Sequence, residues 1–338
     1  MSSFSQAIGH YAREIAELTA RRGRPVNVDE ARVADRSDTM ALGAPGHWSP
    51  NRSCRMVRAA DGWIAVNLPR EADLWIVPAW IGCRLDAEPW PAIIRRARGR
   101  PWRELVDQAA LLGLPVSAVG EVGAPSPEDE LIRMASGAPR PRSRPPKVLD
   151  LSSLWAGPLC GGLLAEAGCE VTKLESRGRP DVMRLAAPAM FQRLNAGKAD
   201  KALDFLDPDD RGRLAELISG ADVVISSARP RAFEQLGTPP SRAFAANPGL
   251  IWVAVSGYGW TGLGAGRVAF GDDAAAAGGL VRWTSRGEPR FLGDALADPL
   301  TGLFAASRAL RALELGGGFL VNAGMAPTSA RAVSMATA

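Results

Sequence analysis

The side chains best suited to covalent or proton-transfer chemistry in this chain are aspartates. Asp294 and Asp298 stand four residues apart in the run Asp294-Ala295-Leu296-Ala297-Asp298-Pro299-Leu300-Thr301-Gly302, and Asp272-Asp273 precede a run of alanines. A carboxylate can attack an acyl group or move a proton, according to its surroundings. Each of these residues also has a plainer role. Asp298-Pro299 with Thr301-Gly302 is good capping sequence for a helix running to Glu314, and Asp272 or Asp273 would cap a helix over 274–280. The two roles are compatible, because a helix N-terminus favours a carboxylate. Histidine offers little competition: His10 and His47 are the only two, so residues 48–338 contain no catalytic histidine and no His-rich metal centre. Cys54, Cys83, Cys160 and Cys169 form no CxxC pair, which argues for reduced thiols in a cytosol and against a disulfide framework or a zinc site.

Cofactor motifs are excluded in the same way. A dinucleotide fold needs glycines directly after its first strand, so that the backbone can approach a pyrophosphate. Here that turn is Ser152-Ser153-Leu154-Trp155-Ala156-Gly157-Pro158, bulky where glycine is required. The glycines at 257, 259, 262, 264 and 266 come later and read as a flexible loop at the C-terminal end of a strand, where open α/β sheets bind ligands. Neither GxxxxGK[ST] nor GxSxG occurs. No nicotinamide, flavin or metal is expected.

The elements that must hold these residues read as α/β. Apolar strands are expected at 147–151, 170–174, 202–205, 222–225 and 250–256, alternating with helices at 158–167, from Asp207-Pro208 to 218, at 230–236 and at 298–314. Apolar runs joined by helices indicate a buried parallel sheet. Before them lies a smaller mixed α+β part: an amphipathic helix at 4–20, a loop-rich stretch to about 52, a strand at 63–68, helices near 72–82, 91–97 and 102–113, and a strand at 114–119. Residues 138–146, APRPRSRPP, read as an extended linker between domains at 1–137 and 147–338. With 338 residues, two full cores are possible. The net charge of +4 on 36 arginines and four lysines gives no reason to invoke nucleic acid or a membrane surface, and the arginine skew suggests a GC-rich bacterial genome. The opening residues lack the apolar stretch of a signal peptide, and no apolar run reaches the ~20 residues of a membrane span, so a cytoplasmic protein is expected.

Several motifs occur together in an order that resembles the family III CoA-transferases, the family of formyl-CoA transferase, carnitine CoA-transferase and the alpha-methylacyl-CoA racemases. Val148-Leu149-Asp150-Leu151-Ser152, Ala156-Gly157-Pro158 and Gly168-Cys169-Glu170-Val171-Thr172-Lys173-Leu174-Glu175 resemble its opening strand–helix–strand. Asn195-Ala196-Gly197-Lys198 with Leu203-Asp204, then Ala221-Asp222-Val223-Val224, Arg229-Pro230, Leu236-Gly237, Asn247-Pro248 and Ser256-Gly257-Tyr258-Gly259 follow. Ala297-Asp298-Pro299-Leu300-Thr301-Gly302 resembles the motif of the nucleophilic aspartate. Asp61-Gly62-Trp63-Ile64-Ala65-Val66 and Gly113-Leu114-Pro115-Val116-Ser117-Ala118-Val119 resemble small-domain strands that in the family come after that aspartate. The order is therefore that of a circular permutation or a fusion of the rear of one copy to the front of another. Arg22-Gly23-Arg24-Pro25-Val26-Asn27-Val28 and Gly316-Gly317-Gly318-Phe319-Leu320-Val321 both resemble the inter-domain segment.

What the resemblance implies is a Rossmann-like large domain and the transfer of CoA between an acyl-CoA and a carboxylic acid through a mixed anhydride on Asp298. The CoA groove would be lined by Leu154, Trp155, Ala156, Arg177, Leu203, Phe205, Ser227, Ala228 and Arg229, with Arg267 and Phe270 near the pantetheine. The alternatives are a racemase of the same family, using Asp272 or Asp273 where the family's histidine is missing, and an inactive subunit that binds CoA esters. A homodimer is expected, with residues 1–46 packed on a large domain, its own or the partner's.

Overall fold

The computed structural model describes residues 2–136, 144–262 and 264–336. In chain order the strands are β1 (Cys54–Arg58), β2 (Trp63–Asn67), β3 (Val116–Ala118), β4 (Leu131–Arg133), β5 (Lys147–Leu151), β6 (Glu170–Ser176), β7 (Ala199–Leu203), β8 (Val223–Ser226), β9 (Ile251–Ser256), β10 (Val281–Trp283), β11 (Pro289–Phe291) and β12 (Phe319–Gly324). Seven of them form one sheet in the order β4-β12-β9-β8-β5-β6-β7, parallel throughout except for β4 at the edge. The protein is thus α/β, with a large, mostly parallel sheet and a smaller antiparallel one, β1-β2-β3.

The central strands are apolar on both faces because both are covered. Val148, Val223, Ile225 and Val253 point to one side, against the helices Ala156–Glu166 and Ala297–Glu314. Leu149, Val224 and Trp252 point to the other, against Pro208–Gly220 and Pro240–Ala246. The helix Ser3–Ala20 buries Ile8, Tyr11, Ile15 and Leu18 in the first of these cores, with Tyr11 edge-on to Phe304 at 5.8 Å between ring centroids. In this structure it lies on the large sheet's own helices.

Several details differ from expectation. The third strand of the α/β part begins at Ala199, and the helix after β5 begins at Ala156, two residues before the proline. Residues 316–321, read as an inter-domain segment, instead lead into β12 within the large sheet, between β9 and the edge strand β4, which comes from the part assigned to the small domain. Most of the expected linker, 138–143, lies outside the described residues; Arg144 at its end pairs with Asp222 at 2.9 Å. The two sheets are joined by more than a tether. The helix Gly271–Ala277 is packed between them: Ser117 Oγ donates to the Asp273 carbonyl at 2.8 Å and the Gly120 amide to the Ala276 carbonyl at 2.9 Å. Among the described residues no helix is long and apolar enough to cross a membrane.

Candidate active site

A cavity of about 1090 Å³ opens beyond the C-terminal ends of β5, β6 and β8, the position where open parallel sheets place their ligands. Its wall is built from three sources. The large sheet supplies the turn Ser152 to Trp155, Glu175, Ser176, Phe205, Ser227 and Ala228. β2 and its following loop supply Asn67 and Arg70; the segment before β1 supplies Arg36, Met40, Asn51 and Ser53. Phe270, Gly271, Asp272, Ala295 and Asp298 close the wall between the two sheets.

The turn after β5 rests on a buried polar network. Lys198 Nζ donates to Asp150 Oδ2 at 2.7 Å, to the Pro158 carbonyl at 2.8 Å and to Asn195 Oδ1 at 2.9 Å. Burial alone would push the Asp150 carboxyl up, but the Lys198 and Lys173 charges outweigh it and hold it below the ordinary range. Asp150 in turn accepts from the Ser152 amide at 3.0 Å and from its hydroxyl. Lys173 Nζ donates to the Ser152 carbonyl and to Asp181 at 3.3 Å, and Asp181 accepts from the Leu154 amide at 3.1 Å. So Asp150, Lys173, Asn195 and Lys198, all motif residues, act beneath the cavity as its support. The network holds Leu154 at φ +70°, a conformation that costs a non-glycine residue on the order of 1 kcal/mol.

Asp298 lies at the second position of the helix Ala297–Glu314, whose N-cap is Leu296. It therefore does not cap its own helix through its side chain. Its carboxylate instead sits beside the Ala156 amide, at the start of the neighbouring helix Ala156–Glu166, which favours its charged form. The two helices meet so closely that a side chain at Gly302 would strike the Ala156 carbonyl and Leu159. A Cβ on Gly271 would overlap the Asp298 carboxylate and the Ala295 carbonyl. These contacts explain the small residues in both motifs.

Asp298 is half-buried and faces the cavity. Burial pushes its carboxyl up to about 7; Asp272 and Asp294 add to the rise, and Arg36 and the Ala156 amide oppose it. Asp294 is committed elsewhere: Arg36 grips both of its oxygens, and Asn51 Nδ2 donates to Oδ1 at 2.6 Å. Asn51 also donates to Asp272 Oδ2 at 2.7 Å, and the Ala295 amide donates to Asp272 Oδ1 at 2.8 Å. Burial, then the Asp294 charge, pushes Asp272 up to about 6. Asp273 accepts from the Phe270 amide at 2.9 Å and from Asn67 at 2.8 Å, the reciprocal half of a helix cap; burial pushes it up to about 7. The helix these two residues start is Gly271–Ala277, three residues earlier than expected. Asp272, Asp294 and Asp298 thus meet at one guanidinium, with Asp298 the carboxylate open to a ligand.

Six of the eleven residues expected along the groove line the cavity: Leu154, Trp155, Phe205, Ser227, Ala228 and Phe270. The other five are placed differently. Ala156 is buried behind the wall, with its amide near Asp298. Leu203 is in the core beneath. Arg177 is exposed and 3.6 Å from Asp210, and Arg229 is exposed at the start of the helix Pro230–Gln235. Arg267 is engaged by Glu121 at 2.7 Å and the Tyr258 hydroxyl at 2.8 Å, where a motif from each sheet meets. The glycine-rich loop after β9 follows suit: Gly259, at φ +107°, packs against Asn322 rather than on the cavity wall. Sequence reasoning missed Arg36, Asn51, Asn67 and Arg70. No motif marks the first two, and Arg36 is one arginine among 36.

Comparison with known proteins agrees with this architecture. The family model for CoA-transferase family III matches residues 146–338. Succinyl-CoA--D-citramalate CoA-transferase of Chloroflexus aurantiacus is 34% identical over 185 residues, 50% of this chain and 46% of the relative. Succinyl-CoA:mesaconate CoA-transferase of Haloarcula hispanica is 31% identical over 184 residues, 49% of this chain and 46% of the relative. Among solved structures, a CAIB/BAIF family protein from Brucella suis superposes with a TM-score of 0.51 at 27% identity, covering 56% of this chain and 54% of that one. The chain spans about half the length of the curated relatives it matches. The matched region holds β5 to β12, the buried lysine network and Asp298, and the protein belongs to CoA-transferase family III.

Proposed function

We propose that the chain transfers CoA between an acyl-CoA thioester and a free carboxylic acid, with Asp298 as nucleophile. The observation that carries this is one carboxylate, half-buried at the junction of two helix N-termini, facing a large cavity at the C-terminal edge of the sheet. A carboxylate suits the exchange, because the anhydride it forms is reactive enough for a thiolate to attack in return. Asp298 attacks the thioester carbonyl; the C–S bond breaks, leaving an acyl–aspartyl anhydride and CoA thiolate. The thiolate attacks the aspartyl carbonyl and releases the first acid as its carboxylate. The acceptor carboxylate then attacks the aspartyl thioester, CoA thiolate leaves again, and its attack on the new anhydride's acyl carbonyl forms the new acyl-CoA and frees Asp298. No net proton is consumed. The apolar wall of Leu154, Trp155, Phe205 and Phe270 receives the CoA arm, with Ser227 and Ala228 along the same edge. Relatives named for succinyl-CoA and for citramalate or mesaconate make succinyl-CoA with dicarboxylates the first pairs to assay.

The same reading takes the chain as a cytoplasmic homodimer; light scattering of the full chain reads the dimer directly. A proton-transfer role has one observation in its favour: Asp272, pushed up to about 6, is on the cavity wall beside Asp298. Exchange of the α-hydrogen of a 2-methylacyl-CoA in deuterium oxide, without an acceptor acid, is the outcome that would select it. For the transferase reading, Asp298→Ala is expected to reduce turnover by at least about 1000-fold, some 4 kcal/mol of barrier, while binding of the CoA ester persists. Turnover within tenfold of the wild type would overturn the assignment.

A further inference from the structure

Arg36 comes from a segment outside the region matched by the family model, yet it reaches the centre of the site. Its Nε and Nη2 grip the two oxygens of Asp294, the second at 3.1 Å, and its guanidinium is 5.4 Å from the centre of the Trp155 ring. The side chain is 18% exposed, and among the described residues Nη1 has no hydrogen bond. Asn51 ties the arrangement together by donating to Asp294 and Asp272 at once.

The charges around Asp298 can be named element by element. The loop at 34–50 brings Arg36; the turn after β11 brings Asp294; the helix Gly271–Ala277 brings Asp272, with Asp273 one residue on; β1 brings the buried thiol of Cys54, itself pushed up by burial and the neighbouring aspartates. The helix Ala156–Glu166 brings only the Ala156 amide. Among the described residues, three carboxyls face one another with a single permanent cation between them. An arginine stays charged in this setting because of its high intrinsic pKa and delocalised charge.

We infer that Arg36 is a positioning residue for Asp298: clamped by Asp294, which Asn51 in turn holds, it supplies the fixed positive charge that lets Asp298 stand as an anion beside two other aspartates, which makes the segment 29–52 part of the site. The inference deepens the role proposed for Asp298, but it concerns a charge state that exists whether or not CoA is transferred. Loss of Arg36 should therefore move a titration, which loss of a merely structural contact would not do.

The test uses full-length protein carrying carboxyl-13C aspartate, with the Asp298 signal assigned by its disappearance in Asp298→Asn. Wild type, Arg36→Met, Arg36→Gln and Arg36→Lys are titrated between about pH 5 and pH 9, and the pH dependence of acyl-CoA-driven labelling of Asp298 by hydroxylamine is followed alongside. The expected result is a midpoint raised by about one unit or more in Arg36→Met and Arg36→Gln, a tenfold drop in the ratio of ionised to protonated Asp298 at any given pH, and a midpoint within about half a unit of wild type in Arg36→Lys. Arg36→Gln keeps a donor to Asp294 and guards against collapse of the loop. An unchanged midpoint in both neutral variants overturns the inference. If the wild type is never labelled but the midpoints shift as stated, the transferase reading fails and this inference stands.

Discussion

Two clusters of buried charge lie within a few residues of each other at the C-terminal edge of the sheet, and they differ in kind. Beneath the turn after β5, the buried Lys173 and Lys198 face Asp150, Asp181 and Glu175, Arg184 at the rim pairs with Glu175 and the exposed Asp200, and the Lys198–Asp150 pair is almost wholly shut off from solvent. At and just behind the cavity wall, Asp272, Asp294 and Asp298 share, among the described residues, Arg36 alone. A cluster in which each carboxylate has a cation beside it can serve as scaffold. In the other, burial and like charge push Asp272 up to about 6 and Asp298 up to about 7, and groups poised in that way are the ones suited to chemistry. The family motifs are divided between these two tasks: Asp150, Lys173 and Lys198 build the support, and Asp298 is what it supports.

The contrast is tested most severely by breaking the balanced cluster. Lys198→Met leaves Asp150 buried without its main partner, and such a loss costs about 3–5 kcal/mol; urea denaturation should show it, and a cost under about 1 kcal/mol would mean that the network is not structural. Gly271→Ala comes next. Its Cβ would overlap Asp298 and the Ala295 carbonyl, so a destabilisation of about 2 kcal/mol and a loss of turnover of about 100-fold are expected in the same protein. Normal turnover would show that Asp298 tolerates displacement.

Acidity separates the two clusters with opposite signs. Asp298, at about 7 in the fold, takes up its proton more readily there than in the unfolded chain, where the ordinary value is 3.8. Its contribution to stability is therefore complete at pH values below 3.8 and is lost as the pH rises towards 7. Asp298→Asn, which has no charge to bury, should match the wild type near pH 4 and exceed it by on the order of 1–2 kcal/mol near pH 8. Asp150, held low by its lysines, behaves in reverse: its contribution is present above the ordinary range and disappears on acidification through its folded value. A stability difference for Asp298→Asn that did not change with pH would contradict the unbalanced picture. The smallest effect is expected at Arg177, exposed and off the cavity wall. Arg177→Ala should change stability by less than about 0.5 kcal/mol and leave CoA-ester affinity, read by calorimetry, within about twofold of the wild type.

Much of this arrangement is visible in the chain itself, for reasons that can be named. Strands such as β8 and β9 are continuous apolar runs because both faces are buried, and Asp207-Pro208 starts a helix because its side chain caps the Asp209 amide at 2.9 Å. Asp298 stands out because the small residues around it are demanded by close packing of two helices. Arg36 and Asn51 do not stand out, since they act through tertiary contacts made more than 200 positions away and lie in a stretch without periodicity. The arginines at 177, 229 and 267 show the converse: position along the chain suggested a groove, and solvent or a carboxylate partner claimed them instead. The same holds for residues 316–321, whose glycines read as a connector although they deliver β12 into the sheet.

The central claim, that Asp298 is the carboxylate that takes up the acyl group, is tested most directly by trapping. The protein is incubated with succinyl-CoA and hydroxylamine, digested, and the peptide bearing residues 297–302 is sequenced by mass spectrometry. The account predicts a hydroxamate on Asp298, formed only when the thioester is present and absent when Asp294 or Asp272 is examined in the same digest. A hydroxamate on either of those aspartates with Asp298 unmodified would contradict it.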